Sequence, residues 1–231
     1  MKLSALVAAF LVIFTTAQSA PAQQNTPDFV PAKCLTASDI PYPIDTTTSG
    51  LVSFAVSLDE QGHVTDVQTV RDVPPLTSAA LVALKSWTFA AATQTGKTVA
   101  SRLNVDVLFN PGNASFGNAP PLAAAAPLNA AAGQDFAPPH VQSAAYAQYP
   151  VNTIVAGPVI FNAQVGRSGR VVRAAAVYTT PSLVAPAMSA VRKWRFSPAQ
   201  FRGASVASTT VIAFVFRSST ISTPYGSTTA R

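Results

Sequence analysis

Between Val52 and Leu58 the chain alternates: Val52, Phe54, Val56 and Leu58 are separated by Ser53, Ala55 and Ser57. A period of two predicts a half-buried β-strand. Asp59-Glu60-Gln61-Gly62 then predicts a turn, with Gly62 free to take a positive φ. His63 to Val70 reads as the hairpin partner, and its imperfect alternation predicts a bulge. Next, Leu76, Ala80, Ala83, Leu84 and Trp87 fall on one face of a helix, with Thr77 or Ser78 as its N-cap. In a last strand Val99, Ser101, Leu103, Val105, Val107 and Phe109 share a face. Arg102, Asn104 and Asp106 on the opposite face predict a solvated side.

The same pattern recurs 107 residues later. Tyr42-Pro43 returns as Tyr149-Pro150, Gly62 as Gly169, Trp87-x-Phe89 as Trp194-x-Phe196, and Phe109 as Phe216. Aligning 28–109 with 135–216 without a gap gives 25 identities, which reads as a duplication. The second helix face is Leu183, Ala187, Ala190, Val191 and Trp194, with Pro186 tolerated in the first turn. Trp87, Phe89, Trp194 and Phe196 read as core. The second last strand differs from the first. Val206, Ile212, Phe214 and Phe216 form its core face, yet Val211, Ala213 and Val215 make the other face apolar too. One helix covers one face of a small antiparallel sheet. Something further must therefore cover that face, whether the first copy, the linker or a partner.

The expected fold class is α+β: two copies of a three-stranded antiparallel sheet packed on one helix, at 28–110 and 135–217. An Ala/Pro/Gly-rich linker (111–134) joins them, and a polar Ser/Thr tail (218–231) follows. At the N-terminus Lys2 precedes an apolar run from Ala5 to Phe14 and then small residues, the pattern of a signal peptide over 1–22. The run is too short for a membrane span, which needs about 20 apolar residues. The expected location is therefore periplasmic, with inner-membrane anchoring as the alternative if the signal stays uncleaved. The lone Cys34 excludes an internal disulfide and reads as a small buried hydrophobe.

Charge is sparse, with 15 basic and 9 acidic residues in 231, and it is unevenly placed. Residues 28–109 carry five basic and eight acidic side chains, net −3, whereas 135–216 carry seven basic and one acidic, net +6. Arg170, Arg192, Lys193, Arg195 and Arg202 are candidates for a face toward an acidic partner. No nucleophile–base set, metal-ligand cluster or phosphate-binding glycine loop is legible, so no enzyme activity, metal or cofactor is expected. His63 and His140 do not align with one another. Nucleic acid is not an expected partner of an exported chain.

The ordered set Tyr-Pro, Gly, hydrophobic alternation, a Gly turn, a strand, a helix ending in basic-Trp-x-Phe, then Pro-Ala, Gly and an apolar strand resembles the C-terminal domain of the TonB energy-transducer family. The second copy carries it most fully: Gln148-Tyr149-Pro150, Gly157, Gly169, Arg192-Lys193-Trp194-Arg195-Phe196-Ser197-Pro198-Ala199 and Gly203. The first copy has Ala91 in place of the Pro198 equivalent. The resemblance implies a periplasmic module that captures an extended peptide of an outer-membrane transporter at the edge of its last strand, by β-augmentation. The partner-binding residues it implies are Gln148, Tyr149, Pro150, Val206, Ser208, Thr210, Val211, Ile212, Phe214 and Phe216. Two other readings stand beside it. One is a membrane-anchored transducer. The other is a self-associating envelope protein that uses the two-sided apolar strand as its seam.

Overall fold

The computed structural model describes residues 29–110, 120, 122, 125, 136–150 and 154–217. The expected signal peptide, the tail and most of the expected linker lie outside the described residues. The described residues are mixed α+β, mostly strands with two short α-helices.

The first half supplies β1 (Gly50–Leu58), β2 (Val64–Arg71), α1 (Leu76–Leu84) and β3 (Ser101–Asn110). The second supplies β4 (Gly157–Val165), β5 (Val171–Tyr178), α2 (Val184–Val191) and β6 (Ser208–Phe216). Hairpins β1–β2 and β4–β5 form where the alternation predicts them, and both have shifts of register. Their turns depend on Gly62 (φ +87°) and Gly169 (φ +74°), a region where a side chain is strained. A Cβ on either glycine would also overlap a backbone carbonyl, that of Phe89 or Phe196. Helix α1 begins at Leu76 without a side-chain cap, so the expected Thr77 or Ser78 cap is not made. Thr77 Oγ1 instead accepts the Val73 N–H at 2.9 Å, fastening the entry loop.

The expected pair of separate three-stranded sheets is not what forms. The strands join in one six-stranded sheet of order β5-β4-β6-β3-β1-β2. Its centre is a parallel pair between the last strands of the two halves, running from Val211 opposite Val105 to Phe216 opposite Asn110. All other neighbours are antiparallel. The two last strands therefore satisfy each other's edge N–H and C=O groups.

The halves lie on opposite faces. One core joins α1 and Trp87 to Val52, Phe54, Leu103, Val105 and Val107, and it also takes in Ile160, Val211, Ala213 and Val215 from the second half. The other joins α2 and Trp194 to Val159, Phe161, Ile212, Phe214 and Phe216, together with Leu51 and Leu108 from the first half. This resolves the two-sided apolar strand: the face bearing Val211, Ala213 and Val215 is covered by the first half. Fully burying a valine is worth about 1.5–3 kcal/mol relative to leaving it exposed. These residues therefore give the junction a strong apolar component.

The segments preceding β1 and β4 cross over to complete these cores. Strand Lys33–Thr36 pairs with Thr88–Ala90, and His140–Ser143 with Arg195–Ser197. Two asparagines fasten the crossings. Asn162 accepts the Cys34 N–H at 3.0 Å and donates to the Cys34 carbonyl at 2.7 Å. Asn110 does the same for Ala147, at 2.9 Å in both directions.

Candidate partner-binding site

The strand expected to capture a partner is the most enclosed part of the molecule. Ser208, Thr210, Val211, Ile212, Phe214 and Phe216 are all buried, as is Val206. Both sides of β6 are occupied, by β4 and by β3. From Val211 to Phe216 an incoming peptide has no open ladder, so the expected capture edge is corrected: its site is filled by Val105–Asn110 of the same chain. Tyr149 is buried beside Phe216, with ring centroids 6.2 Å apart, and its hydroxyl donates to the Val155 carbonyl at 2.7 Å. Tyr42 OH closes the matching loop onto the Thr48 carbonyl. Both tyrosines thus brace loops. Gln148 is exposed and Pro150 half-buried. Trp87, Phe89, Trp194 and Phe196 are all buried in the two cores.

The side of β3 expected to face water is also corrected. Asn104 and Asp106 are buried. Ser53 donates to Asp106 at 2.6 Å, and Thr210 donates to the Asn104 carbonyl at 3.0 Å. Arg71 reaches Ser53 Oγ at 3.4 Å and donates to the Val141 carbonyl at 2.9 Å. Asn104 donates to the Pro139 carbonyl at 2.9 Å and lies 3.1 Å from His140 Nδ1. Burial raises the Asp106 carboxyl to about 6, against the counter-pull of Ser53, the Arg71 charge and Thr210. Burial, and then the Arg71 charge, lowers the His140 pKa. The equivalents of Ser53, Arg71, Asn104 and Asp106 at the 107-residue offset are Ile160, Tyr178, Val211 and Ala213. One face of the junction is therefore apolar throughout, whereas the other carries this polar cluster beside the apolar Leu108, Ile212 and Phe214.

In the six-stranded sheet the outer sides of β2 and β5 have no strand partner among the described residues. The basic candidates gather near β5. The hairpin tip packs against the end of α2, where the Phe196 N–H donates to the Gly169 carbonyl at 2.9 Å and Arg170 bridges Arg195. Arg195 is half-buried and donates to the carbonyls of Arg192, Lys193 and Trp194, capping the helix terminus. Arg170, Arg192 and Lys193 are exposed around it, with Arg167 and Arg173. Arg202 lies apart, with its guanidinium 5.3 Å from the Phe201 ring. At the opposite end an open groove of about 370 Å3 is lined by Asp39–Ile44, Ala156, Gly157 and Val215–Arg217. Among the described residues no group of histidine, cysteine, aspartate or glutamate is placed to hold a metal. No helix there is long and apolar enough to cross a membrane.

The strand, glycine-turn, strand, helix, strand order of the first half has a counterpart among known families. Residues 44–111 match the family model of the Gram-negative bacterial TonB protein C-terminal domain. That match supports the family resemblance, and it falls on the half whose motif set is the less complete. The TonB C-terminal family is a non-enzymatic domain of energy transduction and protein interaction, associated with the envelope. No curated protein and no solved structure matches the chain.

Asn110, Asn162, Ser53 and Arg71 are absent from the residues the sequence singles out. Their only signal is a polar residue at an inward strand position, or at a strand end.

Proposed function

We propose that this chain is an exported, non-catalytic TonB-like protein-binding module of the periplasm. In this reading residues 136–217 are a second copy of the unit matched at 44–111. The module engages an envelope protein, such as an outer-membrane transporter, by strand addition at an outer edge of its sheet. The observation that carries the reading is the parallel β3–β6 pair in a chain with a TonB-type match. It pairs the two last strands with each other, and among the described residues the edges of that sheet without a strand partner are those of β2 and β5. The self-associating alternative loses its expected seam, because Val211, Ala213 and Val215 are already covered within the chain.

The test places a photo-crosslinking residue at Gln68, Ala175 or Thr210 of the full chain in a Gram-negative envelope. The expected result is crosslinking of an extended segment of an envelope protein from Gln68 or Ala175, and none from buried Thr210. Silence at both outer positions would contradict strand addition. N-terminal sequencing of the exported chain separates this reading from an anchored transducer, which requires residues 1–22 to be retained.

A further inference from the structure

Residues 136–217 contain no aspartate or glutamate, yet they carry eight arginines and lysines. Six of these meet at one end of the second half: Arg167, Arg170, Arg173, Arg192, Lys193 and Arg195. Their equivalents 107 positions earlier are Glu60, His63, Asp66, Lys85, Ser86 and Thr88. The first half places its own hairpin turn, at Gly62, beside the Phe89 carbonyl just after α1, with that mixed set. The architecture therefore does not require the cations. Among the described residues no carboxylate pairs with any of these six, and the carbonyls at the end of α2 receive the Arg195 guanidinium alone. Keeping like charges together costs free energy, and an anionic ligand offsets that cost.

The cations flank an open ladder. Arg173 is on the edge strand itself, and the run Ala174, Ala175 and Ala176 presents no bulky side chain along it. Of the features that commonly block such an edge, β5 has no proline and no lysine; its charged residue is Arg173, and its register shifts lie toward its two ends. The other open edge has the opposite character. β2 carries Asp66, and Asp59 and Glu60 occupy the turn before it. An acidic strand is repelled there and attracted to β5.

We propose that the outer edge of β5 (Val171–Tyr178), flanked by Arg167, Arg170, Arg173, Arg192 and Lys193, is the seat of an acidic extended segment of a protein partner, added as a seventh strand. This rests on the strand-addition reading and names its edge and its chemistry. Backbone pairing supplies the geometry. The arginines supply selection by sign and a faster, salt-sensitive encounter.

The test uses the full mature chain and a labelled peptide alternating valine with glutamate, beside a counterpart alternating valine with lysine. The glutamate peptide is expected to bind saturably, at least ~10-fold more tightly than the lysine peptide. Its affinity should fall at least ~10-fold between about 0.05 and 0.5 M salt. Arg170→Glu with Arg173→Glu should reverse the preference. Amide exchange should show new protection within 171–178. Neighbouring residues of an edge strand point their N–H groups to opposite sides, so Ala174→Pro and Ala175→Pro are made separately. The member that keeps the wild-type melting temperature has lost an outward donor, and it should bind at least ~10-fold more weakly.

If that folded proline variant binds like wild type, attraction is not pairing and the proposal falls. Equal binding to phosphatidylglycerol vesicles, insensitive to the proline, would likewise replace a peptide seat with a lipid surface. New protection along 64–71 instead would overturn the choice of edge and leave strand addition standing. Protection at neither edge would overturn both.

Discussion

Asp106→Asn replaces the most deeply placed carboxylate of the junction with a neutral isostere. Burial raises the Asp106 pKa from 3.8 to about 6, the hydrogen bonds from Ser53 and Thr210 and the charge of Arg71 having compensated only in part. A raised acid pKa means that the folded state holds the proton more tightly than the unfolded chain does. Stability from this group is therefore greatest below the unfolded value and falls as pH rises from about 4 to about 6. Two pKa units at 1.36 kcal/mol each make the full cost about 3 kcal/mol above pH 6. Asparagine keeps an oxygen for the Ser53 hydroxyl and avoids burying a charge. At pH 7.5 the variant should be up to about 3 kcal/mol more stable than wild type, an advantage that vanishes near pH 4. Urea unfolding at both pH values measures it, and the melting temperature at pH 7.5 should rise by roughly 6–12 °C. A variant less stable than wild type at pH 7.5, or a difference independent of pH, would refute the reasoning. His140 acts in the opposite sense. Its lowered pKa takes stability away as pH falls through the histidine range, and the variant should retain that loss.

Further outcomes follow from single positions. Val211→Pro places a ring and a missing donor in a strand bonded on both sides, so it should cost about 3 kcal/mol or more by urea unfolding. Gly169→Ala strains a positive φ and drives a Cβ into the Phe196 carbonyl, so a loss of at least ~2 kcal/mol is expected in the same assay. The Cys34 thiol is buried and pushed up to about 12, so alkylation at pH 8 should proceed only as fast as the chain opens. Added urea should accelerate it.

The hairpins, both helices and the tryptophan cores were legible because alternation and helical spacing are local. The apolar second face of β6 was a true signal as well: Val211, Ala213 and Val215 required a cover, and the first half provides it. What covers them was not readable, because a parallel pairing across 106 residues leaves no periodicity in either strand. Asn104 and Asp106 misled for a related reason. A polar residue at every second position looks the same whether water or a buried hydrogen-bond network receives it. The network around Asp106 is closed by residues of the other half: Thr210 on the neighbouring strand, and the Pro139 and Val141 carbonyls that receive Asn104 and Arg71. The capture strand was placed wrongly by the same gap. An edge is a property of the assembled sheet, and the motif that marks β6 as a last strand does not say whether its far side is open. The basic set was legible as composition, whereas its convergence on the α2 terminus depends on the Arg170–Arg195 bridge.

The parallel pair at the sheet centre is what joins the two halves in one sheet. Amide exchange of the full chain, resolved by residue, tests it directly. Amides of Leu103–Phe109 and Thr210–Phe216 should exchange slowest, near the rate of global unfolding, and those along 64–69 and 172–176 fastest among the strands. Fast, edge-like exchange throughout 210–216 would show that the last strand is unpaired on one side and would contradict the single six-stranded sheet.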